Sequence, residues 1–188
     1  FNQDFDSRDG IFDIRCWTNL PAEENRSNDT SAVFTINHLP DPLPLREDFE
    51  NGLPTGWTTN GGITTAHNNI SSVLAVNLFA FNPSSNTTLP RVGFVGPNDS
   101  LSFDYRITDY DTDGATATVL SNGTRFDVQI STNCGTSYQT VYSINQNNHT
   151  PSTALQNIRI GLGAYAGLAV TIRFVGTWGA SDFYFDLD

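Results

Sequence analysis

Asp48 and Glu50 stand two residues apart in the run Arg46-Glu-Asp-Phe-Glu-Asn-Gly-Leu-Pro-Thr-Gly-Trp57, and a second acidic run closes the chain as Asp182-Phe-Tyr-Phe-Asp-Leu-Asp188. Read as strands, this spacing puts Asp48 and Glu50 on one face. If the two runs lie side by side, Asp182, or one of the terminal aspartates Asp186 and Asp188, joins the pair. Carboxylates so close repel and raise one another's pKa, and a hard cation such as calcium relieves the conflict. The competing reading is a set of edge-strand charges that resist aggregation. A second acidic group is Asp109-Tyr-Asp-Thr-Asp-Gly114. Asp109, Asp111 and Asp113 at positions one, three and five, with Gly at six, start a calcium loop. Position twelve, where an EF-hand carries Glu, is Leu120. An EF-hand is excluded, and a cation here needs a ligand from elsewhere. The alternative is a solvated acidic hairpin tip. Tyr110, beside this loop, is the ring best placed for a ligand such as a sugar. Trp57, Trp178 and Tyr184 are the other candidates, with Trp57 and Trp178 expected in the core.

Other chemistries lack their residues. The nine basic residues are all arginine, which removes Schiff-base and lysine-base catalysis. His38, His67 and His149 fall in separate polar stretches without an HExxH pattern, and no GxSxG elbow occurs. The acidic residues are mostly aspartates in turns, without a glycosidase-like cleft motif. We expect no enzyme. A net charge of −11 opposes binding to nucleic acid or an anionic membrane surface and favours bound cations. No stretch approaches 18 apolar residues, so membrane insertion is not expected. The chain begins at Phe1, and is read as a processed or excised piece of something longer.

The elements that would position these groups are strands. Ile11–Thr18 and Ser31–Ile36 alternate apolar and polar residues around a polar turn region over 19–30. Two strands cannot bury a core alone, so they read as the last hairpin of a truncated sandwich. Leu39-Pro-Asp-Pro-Leu-Pro44 is a stiff connector. It separates residues 1–41, hairpin plus linker, from a domain at 42–188. Cys16 and Cys134 thereby fall in different domains and read as two separate buried or loop thiols, with a disulfide as the alternative in a secreted chain. Beyond the connector, strands are expected at Leu74–Phe81, Asp99–Ile107, Arg125–Ser131, Tyr138–Tyr142, Leu155–Gly161, Ala169–Val175 and Phe183–Leu187. Gly, Asn and Ser clusters break them, and no helical stripe appears. The fold class is all-β, a jelly-roll sandwich.

Five blocks in register, "DFENGLPTGW", "LSFDYRI", "FDVQISTNCGTSYQTVY", "LGAYAGLAVTIRF" and "WGASDFYFDLD", resemble the cleaved-adhesin or choice-of-anchor J family of MAM-like jelly rolls. These domains belong to surface proteins of the Bacteroidota exported by the type IX system. The resemblance covers about residues 45 to 188. It implies a galactose-binding-like sandwich with bound calcium at the Asp48–Glu50 opening. It further implies a secreted, cell-surface adhesion or structural role without catalysis. The alternative is a carbohydrate-binding module appended to a secreted hydrolase or peptidase. Implied partners are other domains of the same protein, glycans, or surface proteins of a host or prey. The stretch "NLPAEENRSNDT" with the strand after it resembles the final hairpin of an Ig-like CARDB domain.

Overall fold

The computed structural model describes residues 10–18, 29–121 and 123–188. It divides into two compact units, Phe1–Pro40 and Asp41–Asp188. In the first, Ile11–Ile14 (β1) and Phe34–Asn37 (β2) pair antiparallel, with Phe12 opposite Ile36 and Ile14 opposite Phe34. A bridge joins Trp17 to Thr30. Most of the expected turn, residues 19–28, lies outside the described residues. Cys16 and Cys134 are both free and exposed.

The second unit is a sandwich of two five-stranded antiparallel sheets. One contains, in spatial order, Gln156–Gly161 (β10), Ser100–Asp109 (β7), Phe183–Leu187 (β12), Val73–Leu78 (β5) and Gly62–Thr64 (β4). The other contains Thr58–Thr59 (β3), Ser84–Thr88 (β6), Thr171–Thr177 (β11), Arg125–Ser131 (β8) and Gln139–Asn145 (β9). A 3-10 turn at Gly163–Tyr165 is the only helix among the described residues. Period-two alternation fills the space between the sheets. Phe103, Tyr105 and Ile107 meet Phe126, Val128 and Ile130, with Phe183, Phe185 and Leu187 of the central strand β12. Phe126 stacks on Phe185 with centroids 3.8 Å apart, and Phe103 meets Phe174 edge-on at 5.0 Å. Each such pair adds about 0.5–1.5 kcal/mol beyond area burial.

The expected strands are present with ends shifted by a few residues, whereas β3, β4 and β6 were not foreseen. β6 reads Ser-Ser-Asn-Thr-Thr and carries no apolar stripe. Its inward residues are Ser85 and Thr87, whose hydroxyls are satisfied inside the sandwich. Ser85 Oγ accepts from Gly176 N–H, and Thr87 Oγ1 lies 2.7 Å from Thr59 Oγ1. Buried hydroxyls with partners cost little, so a polar strand occupies a sheet interior.

The β9–β10 connection is tied down by His149. Its Nε2 lies 3.0 Å from the Thr118 carbonyl and its Nδ1 lies 3.2 Å from Tyr105 Oη. A carbonyl only accepts, so Nε2 carries the hydrogen and Nδ1 accepts from the tyrosine. Burial holds His149 below the usual imidazole pKa, partly offset by the Thr118 bond. In the window below about pH 6.5 the unfolded chain therefore binds a proton that the folded chain refuses, and stability falls as pH falls. We expect melting temperature to drop between pH 7.5 and pH 5, and His149→Gln to shrink that drop. An unchanged pH slope in the variant would exclude His149 as its source.

Candidate functional site

The first acidic run is not a strand. Residues 44–48 lack regular structure and Phe49–Asn51 turn. The cause is Phe49, whose ring is drawn into the core at 2% exposure and packs edge-on to Trp57 at 5.5 Å. To reach there its backbone adopts φ 54°. Two carboxylates hold the turn by side-chain to backbone bonds: Glu47 accepts from Phe49 N–H at 2.8 Å and Asp48 from Glu50 N–H at 3.2 Å. Glu50 accepts from Ser72 N–H at 2.7 Å and from its hydroxyl at 3.2 Å. Asp48 and Glu50 thus share a turn and not a strand face.

Asp188 comes to this turn. Its backbone pairs with Asp104 of β7. Burial first, then the charges of Asp104, Asp48 and Glu50, push its carboxyl above the usual range. Asp182 sits at the other end of β12, six residues or about 20 Å away at strand rise, and takes a 2.6 Å bond from Asn77. It cannot share a cation with Asp48. Asp104 is the neighbour that sequence reasoning missed; its signal was the alternation of Ser102-Phe-Asp-Tyr, which turns Asp104 away from the core. Among the described residues no group of three or more Asp, Glu, His or Cys is arranged to hold a metal ion. The charge at this corner suits a cation, but Glu50 is turned to Ser72 and Asp48 to its own turn.

At the Asp182 end lies an aromatic platform. Tyr110 is 45% exposed and tilts against Tyr184, centroids 5.3 Å apart. Tyr184 in turn lies flat on His67 at 3.4 Å. Burial, then Tyr110, Asp113, Asp182 and Asp186, raise the Tyr184 pKa, so the phenol stays protonated. The Asp109–Gly114 loop closes on itself: Asp109 accepts from Asp111 N–H at 2.7 Å, and Gly114 N–H donates to the Asp109 carbonyl. Its three carboxylates are not brought to one point. Gly114, at φ 79°, rests on the His67 carbonyl, where any Cβ would collide.

Beneath the platform is a pair not foreseen from sequence. Arg106 and Asp186, 4% and 0% exposed, bond at 2.7 Å. Arg106 also donates to the carbonyls of His67 at 2.7 Å and Thr153 at 3.0 Å, and to Asn69 Oδ1 at 2.6 Å. His67 Nδ1 stands 3.5 Å from Asp186 Oδ1. One arginine thus pins the loop that carries His67, and the platform rests on a fixed base. Trp57 and Trp178 pack against the core, as expected, and Trp178 Nε1–H donates to the Ser181 carbonyl at 2.6 Å.

No protein-family model and no curated protein matches this chain. Among solved structures it is similar to the K3 cleaved adhesin domain of Lys-gingipain from Porphyromonas gingivalis W83. The identity is 17% and the TM-score 0.49, over 77% of this chain and 95% of that one. It is also similar to CBM28, a carbohydrate-binding module specific for non-crystalline cellulose, at 17% identity and TM-score 0.48, covering 81% and 97%. A third is TmCBM61 in complex with β-1,4-galactotriose, at 14% and 0.42, covering 75% and 93%. Among the described residues no helix is long and apolar enough to cross a membrane.

Proposed function

We propose that residues 41–188 form a non-enzymatic adhesion module of a secreted surface protein, which engages its ligand at the Tyr110 platform and is stabilised by calcium. The observation that carries this reading is the exposed Tyr110 ring beside Tyr184, on a base fixed by the buried Arg106–Asp186 pair. A preorganised ring presents contact area at little entropic cost. The same observation favours the second reading, a carbohydrate-binding module, because aromatic rings stack on the apolar faces of pyranoses. Glycans or surface proteins are the proposed ligands, and other domains of the same protein the proposed neighbours. A glycan array run in calcium and again in EDTA tests the platform. We expect a defined sugar set to bind and Tyr110→Ala to abolish binding. Silence on folded protein would turn the assignment to a protein ligand.

Calcium is proposed at the corner of Asp48, Glu50, Asp104 and Asp188, with Glu50 released from Ser72. The Asp109–Asp111–Asp113 loop is the second candidate. Because the Asp188 carboxyl is raised, the folded state holds its proton more tightly than the unfolded chain, and stability falls as pH rises above about 3.8. A cation there reverses the sign. We expect EDTA to lower the melting temperature by several degrees and Asp48→Ala to remove most of that response. If Asp111→Ala removes it instead, the loop is the site; identical melts with and without EDTA would sink the calcium assignment.

A further inference from the structure

The outer face of the second sheet carries a single register row across all five strands: Thr58, Thr88, Arg173, Gln129 and Thr140. Five strands at about 4.8 Å spacing make a row roughly 19 Å long, the reach of a short oligosaccharide. Its centre is Arg173. The Nε–H donates to Gln129 Oε1 at 2.7 Å, and the guanidinium lies over the Tyr138 ring at 3.6 Å. Gln129 in turn donates to Thr140 Oγ1 at 3.2 Å. The ring sets the plane of the fork and Gln129 its rotation, while among the described residues its terminal nitrogens have no hydrogen-bond partner.

Arg106 is paired with Asp186 and Arg125 with Asp127, whose carboxylate lies one row along the same face and is already bonded at 3.1 Å. Arg173 has no carboxylate partner among the described residues and is positioned by Gln129 and the Tyr138 ring. Arg159 also lacks a carboxylate partner among the described residues, its Nε–H donating to Ser100 Oγ at 2.9 Å, so what sets Arg173 apart is the Tyr138 ring that fixes its plane. A fixed planar fork matches a carboxylate bidentately, which a lysine cannot reproduce. The flanking hydroxyl and amide groups match sugar hydroxyls.

We infer that this face binds an acidic saccharide, with a uronate carboxylate on Arg173 and neighbouring sugar hydroxyls on Gln129, Thr88 and Thr140. This rests on the glycan form of the proposed function and places a second site on the opposite sheet from Tyr110. At 0.15 M salt the screening length is about 8 Å, so the net negative charge elsewhere does not prevent a local anion contact.

The test is calorimetric titration of the full chain at 0.15 M salt with tetragalacturonate, neutral galactotetraose and an oligoglutamate peptide. We expect tetragalacturonate to bind and Arg173→Gln to weaken it at least tenfold. Arg173→Lys should recover only part of that loss, and galactotetraose should bind at least tenfold more weakly at this face. Circular dichroism of each variant checks folding. Binding of the neutral sugar alone, lost in Tyr110→Ala, would overturn the Arg173 inference and leave the platform reading standing. Binding of oligoglutamate alone through Arg173 would overturn the saccharide assignment. Absence of tetragalacturonate binding to the folded protein would overturn the Arg173 inference, while the Tyr110 platform stands or falls on the glycan array.

Discussion

Arg106→Met is expected to destabilise the second unit by about 3–5 kcal/mol, because it leaves the Asp186 carboxylate buried without its cation. The loss exceeds one ion pair, since the same guanidinium satisfies the His67 and Thr153 carbonyls and the Asn69 amide oxygen. Denaturant unfolding of the variant and of the double change Arg106→Met with Asp186→Leu separates pairing from burial. The double variant should regain much of the loss, since an apolar pair of similar volume replaces a desolvated ion pair at little net cost. A single variant within 1 kcal/mol of the parent would show that water reaches Asp186. Any sugar bound at Tyr110 should weaken too, because His67 and Tyr184 stand on the same loop and strand.

Phe49→Ala should cost a similar amount, about 3–5 kcal/mol, and lower the melting temperature by roughly 10 °C for a unit of this size. The side chain is 2% exposed and already borders a cavity of about 80 Å³ shared with Trp57, Phe103, Phe174 and Asp188. Truncation removes the ring that closes this pocket over the core and its edge-on contact with Trp57. Phe49 also draws Asp48 and Glu50 into their turn, so the variant should lose its calcium response along with its stability. Phe49→Leu, which retains most of the volume, should recover much of both. An alanine variant that melts within 2 °C of the parent, about 1 kcal/mol, would mean that the turn is held by Glu47 and Asp48 alone.

The strands with clean apolar alternation were legible because burial on one face writes itself as period two. β7, β8 and β12 are of this kind. β6 was not, because Ser85 and Thr87 use hydroxyl partners where apolar residues were expected. The Asp48 turn was misread as a strand for a related reason. Its spacing is two, but the direction of Phe49 is fixed by a left-handed backbone that no periodicity reveals. Tyr110 and Asp188 are singled out by residue type and chain position alone. Arg106 and Asp186 were not, since their pairing joins positions 80 apart in sequence, and a buried charge looks in sequence like a solvated one. Gln129 and Arg173 likewise become neighbours only through sheet register.

β12 lies at the centre of its sheet, between β7 and β5, although it is the last strand in order. Asn77 and Phe183, bonded to each other, are 106 residues apart. Until Phe183–Leu187 inserts, the β10–β7 pair and the β5–β4 pair each present an open backbone edge beside apolar side chains. Long-range closure of this kind is slow and leaves edges open to mispairing. The acidic residues at 182, 186 and 188 then have a role before any ligand arrives. Three charges within seven residues oppose self-association of an aromatic segment before it pairs, and in the folded chain one of them, Asp186, is neutralised by Arg106.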